Sequence, residues 1–453
     1  MARLGEIVKA YDIRGVVPDQ WDEAVAAALG RAFVAVTGQR RIVVGRDMRE
    51  SGVTLASAFA QAAADAGADV VDAGLCSTDQ VYFISGAHGM AGAMFTASHN
   101  PAEYNGIKLC LPEAKPISLE TGLADIRDCA QSILDGESVP APGQPGGITR
   151  VDYLTEYADH LHDLVDLSKM RPLTVVVDAG NGMAGHTVPA VLGERSPATV
   201  IPMYFELDGT FPNHEANPLE PANLVDLQAK VRHVGADIGL AFDGDADRCF
   251  VVDERGEPVS PSAVTALVAE AELAKHPGAT IIHNLITSRV VPEIVTAAGG
   301  RPVRSRVGHS FIKAEMAETG AVFGGEHSAH YYFREFWFAD TGMLAAMYVL
   351  AALGADERPL SQLVSRYDRY HSSGEINSTV TDQAAVIDAV ESHYDGPGVH
   401  TDRLDGLTVT FDDGAWFNLR PSNTEPLLRL NAEAASSDRM SQLRDEVLDR
   451  IRR

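Results

Sequence analysis

Cysteine is scarce and unpatterned. The 453-residue chain holds four, at Cys76, Cys110, Cys129 and Cys249, with no C-x-x-C pair. So few in a chain this long exclude a disulfide framework and fit ordinary thiols in a reducing compartment. Met1 to Gly15 lacks both an apolar stretch and a small-residue cleavage site, so no signal peptide is expected. Long hydrophobic runs are also missing. The longest, Gly342 to Ala355, falls short of the ~20 residues a membrane span needs and reads as a buried helix. A cytoplasmic location is expected. Positive charge is in deficit as well, the formal net charge being -26. That balance argues against nucleic acid and anionic membranes as partners. It also sets a condition: an anionic substrate would need its own local cluster of Arg and Lys.

What is present is globular, with 45% hydrophobic and 22% charged residues and length enough for several domains. Short apolar runs alternate with helical stretches. Arg41–Asp47 reads as a strand entering a polar loop, Val53–Gly67 as an Ala-rich helix and Ala68–Ala73 as the next strand. Leu173–Asp178 and Ala279–His283 begin two further units of this kind, the second continuing as helix Ser288–Ala298 and strand Arg301–Arg304. The alternation predicts βαβ units with mainly parallel sheets, repeated at least three times. Val139–Gly147 is Pro/Gly-rich and reads as a linker, and Ser365–Ser373 marks a change of composition. Beyond it come a helix near Asp382–Tyr394, strands around Leu407–Phe411, Ala415–Leu419 and Leu427–Ala432, and a last helix, which together read as a smaller α+β domain.

Two loops carry the chemistry. Asp243-Gly244-Asp245-Ala246-Asp247-Arg248 lies between two apolar strands, Ala236–Phe242 and Cys249–Asp253. Three carboxylates at alternate positions of one turn can converge on a cation, and oxygen-only ligation suits Mg²⁺. Glu254 stands where an EF-hand has its last ligand, but Arg248 replaces the required glycine and both flanks are strands, so that reading fails. The second loop is Thr96-Ala97-Ser98-His99-Asn100-Pro101. An apolar segment ending at Phe95 and a rigid exit at Pro101 favour an exposed hydroxyl at Ser98. His99 is a poor base for it, because adjacent side chains tend to point apart, and neither Asp72 nor Asp79 completes a triad. The pair of loops points to a serine carrying a phosphoryl group beside a hard metal ion.

The required cations occur in scattered motifs: Arg14 in Tyr11-Asp12-Ile13-Arg14-Gly15, Lys108 after Asn105-Gly106-Ile107, Arg248 in the metal loop, Lys313 after the small turn Gly308-His309-Ser310, and Arg429. Taken singly, each is an ordinary surface or capping group. Arg420-Pro421-Ser422-Asn423-Thr424-Glu425-Pro426 is the exception, since Arg, Ser, Asn and Thr in one turn offer many donors to phosphate oxygens.

In this order the motifs resemble those of the α-D-phosphohexomutase family, from Tyr11–Gly15 to Arg420–Pro426. The resemblance implies three related mixed-sheet α/β domains and a smaller C-terminal α+β domain around a central cleft, with boundaries at 1–147, 148–253, 254–368 and 369–453. It implies that Ser98 is the phosphoserine and that Asp243, Asp245 and Asp247, with the serine oxygen, hold Mg²⁺. Lys108 and His330 become acid/base candidates, and Arg14 and Arg248 supports for the transferring group. Glu326 and Ser328 would bind sugar hydroxyls, and Arg420, Ser422, Asn423 and Thr424 the non-reacting phosphate, with Tyr11, His309 and Arg429 also in the binding set. The implied partners are hexose phosphates, with a hexose 1,6-bisphosphate as activator and intermediate, and a monomer or homodimer is expected. The implied reaction is a mutase reaction on mannose and glucose phosphates. A metal-dependent sugar-phosphate phosphatase and a phosphoglucosamine mutase are the alternatives. Two departures stand out: the sugar loop reads Glu326-His327-Ser328-Ala329-His330, where Met and Gly are common at the second and fourth positions, and Leu285 replaces a frequent Lys. Arg289 is the proposed substitute for that lysine.

Overall fold

Buried apolar strands flanked by helices form three α/β units, and a fourth region forms an antiparallel sheet. The computed structural model describes residues 4–137, 144–422 and 427–452. The first sheet runs in the order Ile13–Val16, Tyr104–Leu111, Ala91–Phe95, Arg41–Arg46, Asp69–Leu75, Ile148–Arg150. Its centre is parallel, while Tyr104–Leu111 pairs antiparallel with both neighbours. Helices Glu23–Thr37 and Glu50–Asp65 pack their Ala-rich faces into its core with Phe33, Phe59 and Phe95. Asp22 starts the first of these helices by accepting the Ala24 and Val25 N–H groups, donors that would otherwise be unpaired.

In the second sheet Thr174–Asp178 pairs parallel with Ile238–Phe242 and Thr199–Met203, and Cys249–Asp253 turns back antiparallel on Ile238–Phe242. Every residue of Ile238–Phe242 and Cys249–Asp253 is buried, so the loop between them springs from a rigid base. In the third domain Thr280–Asn284 pairs parallel with Arg301–Ser305 and Phe323–Gly325, and Tyr331–Phe333 pairs antiparallel with Ala339–Asp340. The sheets are thus mixed rather than mainly parallel, with antiparallel strands added to parallel centres. The C-terminal sheet is antiparallel throughout and covered by helices Gln383–His393 and Ser437–Ile451 around a core that includes Phe417, Leu430 and Leu443. Its short strands His371–Ser372 and Ile376–Thr379 fall in or beside the stretch that read only as polar.

By contacts the chain divides into two units, Met1–Val259 with Ser328–Leu363, and Ser260–His327 with Val364–Arg453. Within the first unit a buried carboxylate, Asp79, accepts hydrogen bonds from Ser77, from Tyr157 (2.7 Å) and from Thr341 (2.7 Å), tying together the starts of helices Thr78–His88 and Gly342–Gly354 and the helix Leu154–Leu164. The Gly342 helix is buried, as its apolar run requires. One expectation is corrected: Gly308-His309-Ser310 is no free turn. The chain bends at Val307 and Gly308, and His309 opens helix His309–Thr319.

Candidate active site

Ser98 sits just past strand Ala91–Phe95 with φ at 49°, a left-handed conformation that ordinary residues hold only when their surroundings impose it. Two things impose it. The Ser98 N–H is taken by Thr96 Oγ1 at 2.8 Å. Arg49, 1% exposed, donates to the carbonyls of Ser98 (3.0 Å), Asn100 (2.6 Å), Pro101 (2.7 Å) and Tyr104 (2.9 Å), pairs with buried Asp47 at 3.3 Å, and lays its flat face against Phe211. One guanidinium therefore holds the whole serine turn.

The Ser98 hydroxyl donates to Asp243 Oδ2 at 2.8 Å. Gly244 is required there, since a Cβ on it would lie 2.4 Å from the Ser98 carbonyl oxygen. Contrary to expectation, His99 does meet Ser98, with Nδ1 3.1 Å from Oγ, because the left-handed turn swings neighbouring side chains together. It is still a poor base. Burial and the Arg248 charge push the imidazole well below its ordinary value, and Arg248 Nη2 lies 2.5 Å from the same Nδ1.

The three aspartates are buried, and their ligand oxygens lie within 4.8 Å of one another. Arg248 binds Asp243 through Nε (2.9 Å) and its own N–H (3.1 Å). Thr78 binds Asp245 twice, Oγ1 to Oδ2 at 2.6 Å and N–H to the carbonyl at 3.0 Å. Lys108 places its ammonium 2.7 Å from Asp245 and 2.5 Å from Asp247. Burial opposes ionisation of Asp245, but Lys108 and Thr78 hold it well below the carboxylate range, whereas burial and the Asp245 charge push Asp247 well above it. Lys108 keeps its proton despite burial because of these two carboxylates. Asp245 Oδ1 and Asp247 Oδ1 are buried with no hydrogen-bond partner. Convergent oxygens with unused lone pairs, and a lysine ammonium already lodged between them, fit a hard divalent cation.

Other predicted residues of this unit gather nearby. Arg14 donates to Asn100 of the serine turn at 2.6 Å and pairs with Asp12, while its buried Nε has no partner. His330 has Nδ1 2.9 Å from Ser328 Oγ, stacks on Tyr332, and lies with a ring nitrogen within 4.8 Å of the Asp247 and Asp340 carboxylates. Ser328 therefore serves His330 directly. Tyr11 is half-buried just before strand Ile13–Val16.

The second unit carries the remaining predicted residues. Glu326 is 2% exposed and accepts from Asn284 (3.1 Å) and the Gly308 N–H (3.4 Å). Arg420 and Arg429 face each other across paired strands, and both form ion pairs with Glu375. The Ser422 N–H donates to the Leu427 carbonyl at 2.8 Å, and Asn423 and Thr424 lie outside the described residues. Leu285 is buried. Arg289 is engaged within its own unit: Nε pairs with Glu293 at 2.9 Å, Nη1 donates to the Gly414 carbonyl at 2.7 Å, and its face lies over Tyr370. Sequence reasoning missed Arg49, Asp47, Thr78, Asp340 and Glu375. Only the Asp47–Arg49 pair had a local signal, a D-x-R step where a buried strand becomes a loop.

A serine hydroxyl fixed on a three-aspartate cage, on a scaffold of three α/β domains and one α+β domain, defines the class as a phosphoryl-transfer enzyme. Four family profiles match in chain order: phosphoglucomutase/phosphomannomutase alpha/beta/alpha domain I over residues 5–135, domain II over 155–256, domain III over 260–370, and the C-terminal domain over 375–450. A phosphomannomutase of Escherichia coli K12 is 40% identical over 449 residues, 97% of each chain. A Xanthomonas campestris protein named phosphohexose mutases is 41% identical over 450 residues, 98% of each chain. A crystal structure of a phosphoglucomutase/phosphomannomutase family protein from Burkholderia thailandensis superposes with a TM-score of 0.89 at 33% identity, covering 99% of this chain and 97% of the other. The chain belongs to the phosphoglucomutase/phosphomannomutase family and is a phosphohexomutase. No described helix is long and apolar enough to cross a membrane.

Proposed function

We propose that the protein interconverts mannose 6-phosphate and mannose 1-phosphate, and glucose phosphates as well, through a phosphorylated Ser98 and a bound hexose 1,6-bisphosphate. The observation that supports this most is the Ser98 hydroxyl 2.8 Å from Asp243, on a cage whose other two aspartates keep buried, unpartnered oxygens. Mg²⁺ bound by Asp243, Asp245 and Asp247 would offset phosphate charge and make phosphorus easier to attack.

The chain's own residues supply positioning and charge, which is most of what phosphoryl transfer needs. Arg49 keeps the serine turn rigid. Arg14 and Arg248 flank Ser98 with guanidinium groups suited to phosphoryl oxygens. The sugar hydroxyl attacks phosphorus as the Ser98 Oγ–P bond breaks, and its proton passes to a base. His330, oriented by the Ser328 hydroxyl at its Nδ1, is the residue proposed to take that proton. Glu326 is the partner for sugar hydroxyls, and Arg420 with the following turn anchors the phosphate that does not react. The bisphosphate then turns and returns its other phosphoryl group to Ser98.

The test is turnover on mannose 1-phosphate, glucose 1-phosphate and glucosamine 1-phosphate with Mg²⁺ and activating bisphosphate, alongside intact-mass detection of one phosphoryl group. Isomerisation of the first two, lost by at least about a thousandfold in Ser98→Ala, is expected. Net release of inorganic phosphate without isomerisation would instead identify a phosphatase. A preference for glucosamine 1-phosphate would identify a phosphoglucosamine mutase.

A further inference from the structure

Arg420 and Arg429 stand directly opposite each other on strands Trp416–Pro421 and Leu427–Ala434. Like charges in that position repel. Glu375, just before strand Ile376–Thr379, relieves the repulsion: its carboxylate lies 3.5 Å from Arg420 Nη2 and 3.4 Å from Arg429 Nη1. Both contacts are long for charge-assisted hydrogen bonds, which close to ~2.8 Å when firmly made. The carboxylate is a third exposed, while each arginine keeps a buried Nε with no partner. Two other acids bear on Arg420, Asp405 and Glu326, and both are engaged elsewhere, Asp405 by the Val307 N–H and Glu326 by Asn284 and Gly308. Glu375 is thus a loosely held anion with an exit to solvent, seated between two arginines that have donors to spare.

We propose that Glu375 is a displaceable counter-ion, a stand-in for phosphate that fills the arginine pair when the pair is empty and gives way when substrate phosphate arrives. The proposal rests on reading Arg420 and Arg429 as the phosphate anchor. The charges favour exchange over simultaneous occupancy. A phosphate dianion alone neutralises two arginines, whereas with Glu375 still in place the site carries one excess negative charge. Because the carboxylate competes, the anchor holds phosphate less tightly than two arginines could. In a reaction whose intermediate must leave the anchor and return by its other end, a weaker grip speeds release. Glu375 is therefore a positioning residue for turnover and touches no reacting atom.

The experiment compares wild type with Glu375→Gln and Glu375→Asp, measuring KM and kcat for mannose 1-phosphate and the inhibition constant of inorganic phosphate. Removing the charge in Glu375→Gln should lower both KM and the inhibition constant about two- to fivefold, the scale of one half-exposed ion pair, and should lower kcat. Glu375→Asp keeps the charge and should move all three less. A rise in KM and in the inhibition constant, with kcat unchanged, would show a plain brace and overturn the proposal. Arg420→Ala separates the two layers: if it leaves KM unchanged the anchor reading itself fails, whereas a raised KM there with unaltered constants in Glu375→Gln rejects only the counter-ion.

Discussion

Replacing Arg49 should disable the serine without touching it. In Arg49→Ala four carbonyls of the serine turn, at Ser98, Asn100, Pro101 and Tyr104, lose their donor, and Asp47, fully buried, loses its cation. Stranding one member of a buried pair costs about 3–5 kcal/mol. The four carbonyls add to that without summing independently. The larger consequence is geometric. Ser98 holds φ at 49° only because its turn is clamped, and a displacement of about 1 Å at a reacting group costs about 10²-fold in rate. Arg49→Ala should therefore melt earlier and lose at least that much kcat/KM on mannose 1-phosphate. The double variant Asp47→Ala/Arg49→Ala separates the causes. It removes the stranded charge, so part of the lost Tm returns, but the turn stays unclamped and activity stays low. Thermal unfolding and steady-state kinetics on the three proteins decide the matter. Activity in Arg49→Ala within about threefold of wild type would refute the clamp.

Three further outcomes follow from other contacts. Thr78→Val removes the Thr78 hydroxyl bond to Asp245, so the Mg²⁺ concentration for half-maximal activity should rise about tenfold, read from a Mg²⁺ titration of turnover. Burial outweighs three hydroxyl donors and raises Asp79 to about 6 in the fold, so the folded protein binds the extra proton between the ordinary carboxylate range and that value. Stability contributed at this position should fall by about 3 kcal/mol as pH rises through that window, so the Tm advantage of wild type over Asp79→Asn should be larger at pH 4.5 than at 7, and a pH-independent difference would contradict it. A Cβ at Gly86 would lie 2.1 Å from the Trp337 ring, so Gly86→Ala should cost about 1–3 kcal/mol by thermal unfolding, and an unchanged Tm would contradict it.

The parts of the site that could be read from sequence were those whose partners lie close in the chain. Asp243, Asp245 and Asp247 share one hairpin loop, so their convergence is a local property of two paired strands. Ser98 was recognisable because a buried strand and a proline bracket it. Strand and helix periodicity likewise depends only on neighbouring residues, which is why the alternation of elements and the largely buried Gly342–Gly354 helix could be anticipated. The supports could not be read. Arg49 meets Ser98 across 49 residues and Thr78 meets Asp245 across 167, and nothing in either local pattern marks those pairings. The contact between His99 and Ser98 is hidden for the same reason in miniature: the rule that adjacent side chains diverge assumes ordinary backbone, and a tertiary clamp supplies a left-handed one.

The acidic composition takes on a second meaning at these residues. A net charge of -26 demands a local cluster of Arg and Lys wherever an anionic substrate is to bind. The structure pairs five of those cations with carboxylates: Arg14 with Asp12, Lys108 with Asp245 and Asp247, Arg248 with Asp243, and Arg420 and Arg429 with Glu375. A free arginine in a cleft would cost side-chain entropy to order at the moment an anion binds. One already held by a carboxylate has lost that freedom during folding, so on the proposed reading of these residues a phosphate would meet a formed geometry and a competing charge rather than disorder. The trade lowers affinity and sharpens geometry, which suits an enzyme that must bind, release and rebind the same phosphate-bearing ring within one catalytic cycle.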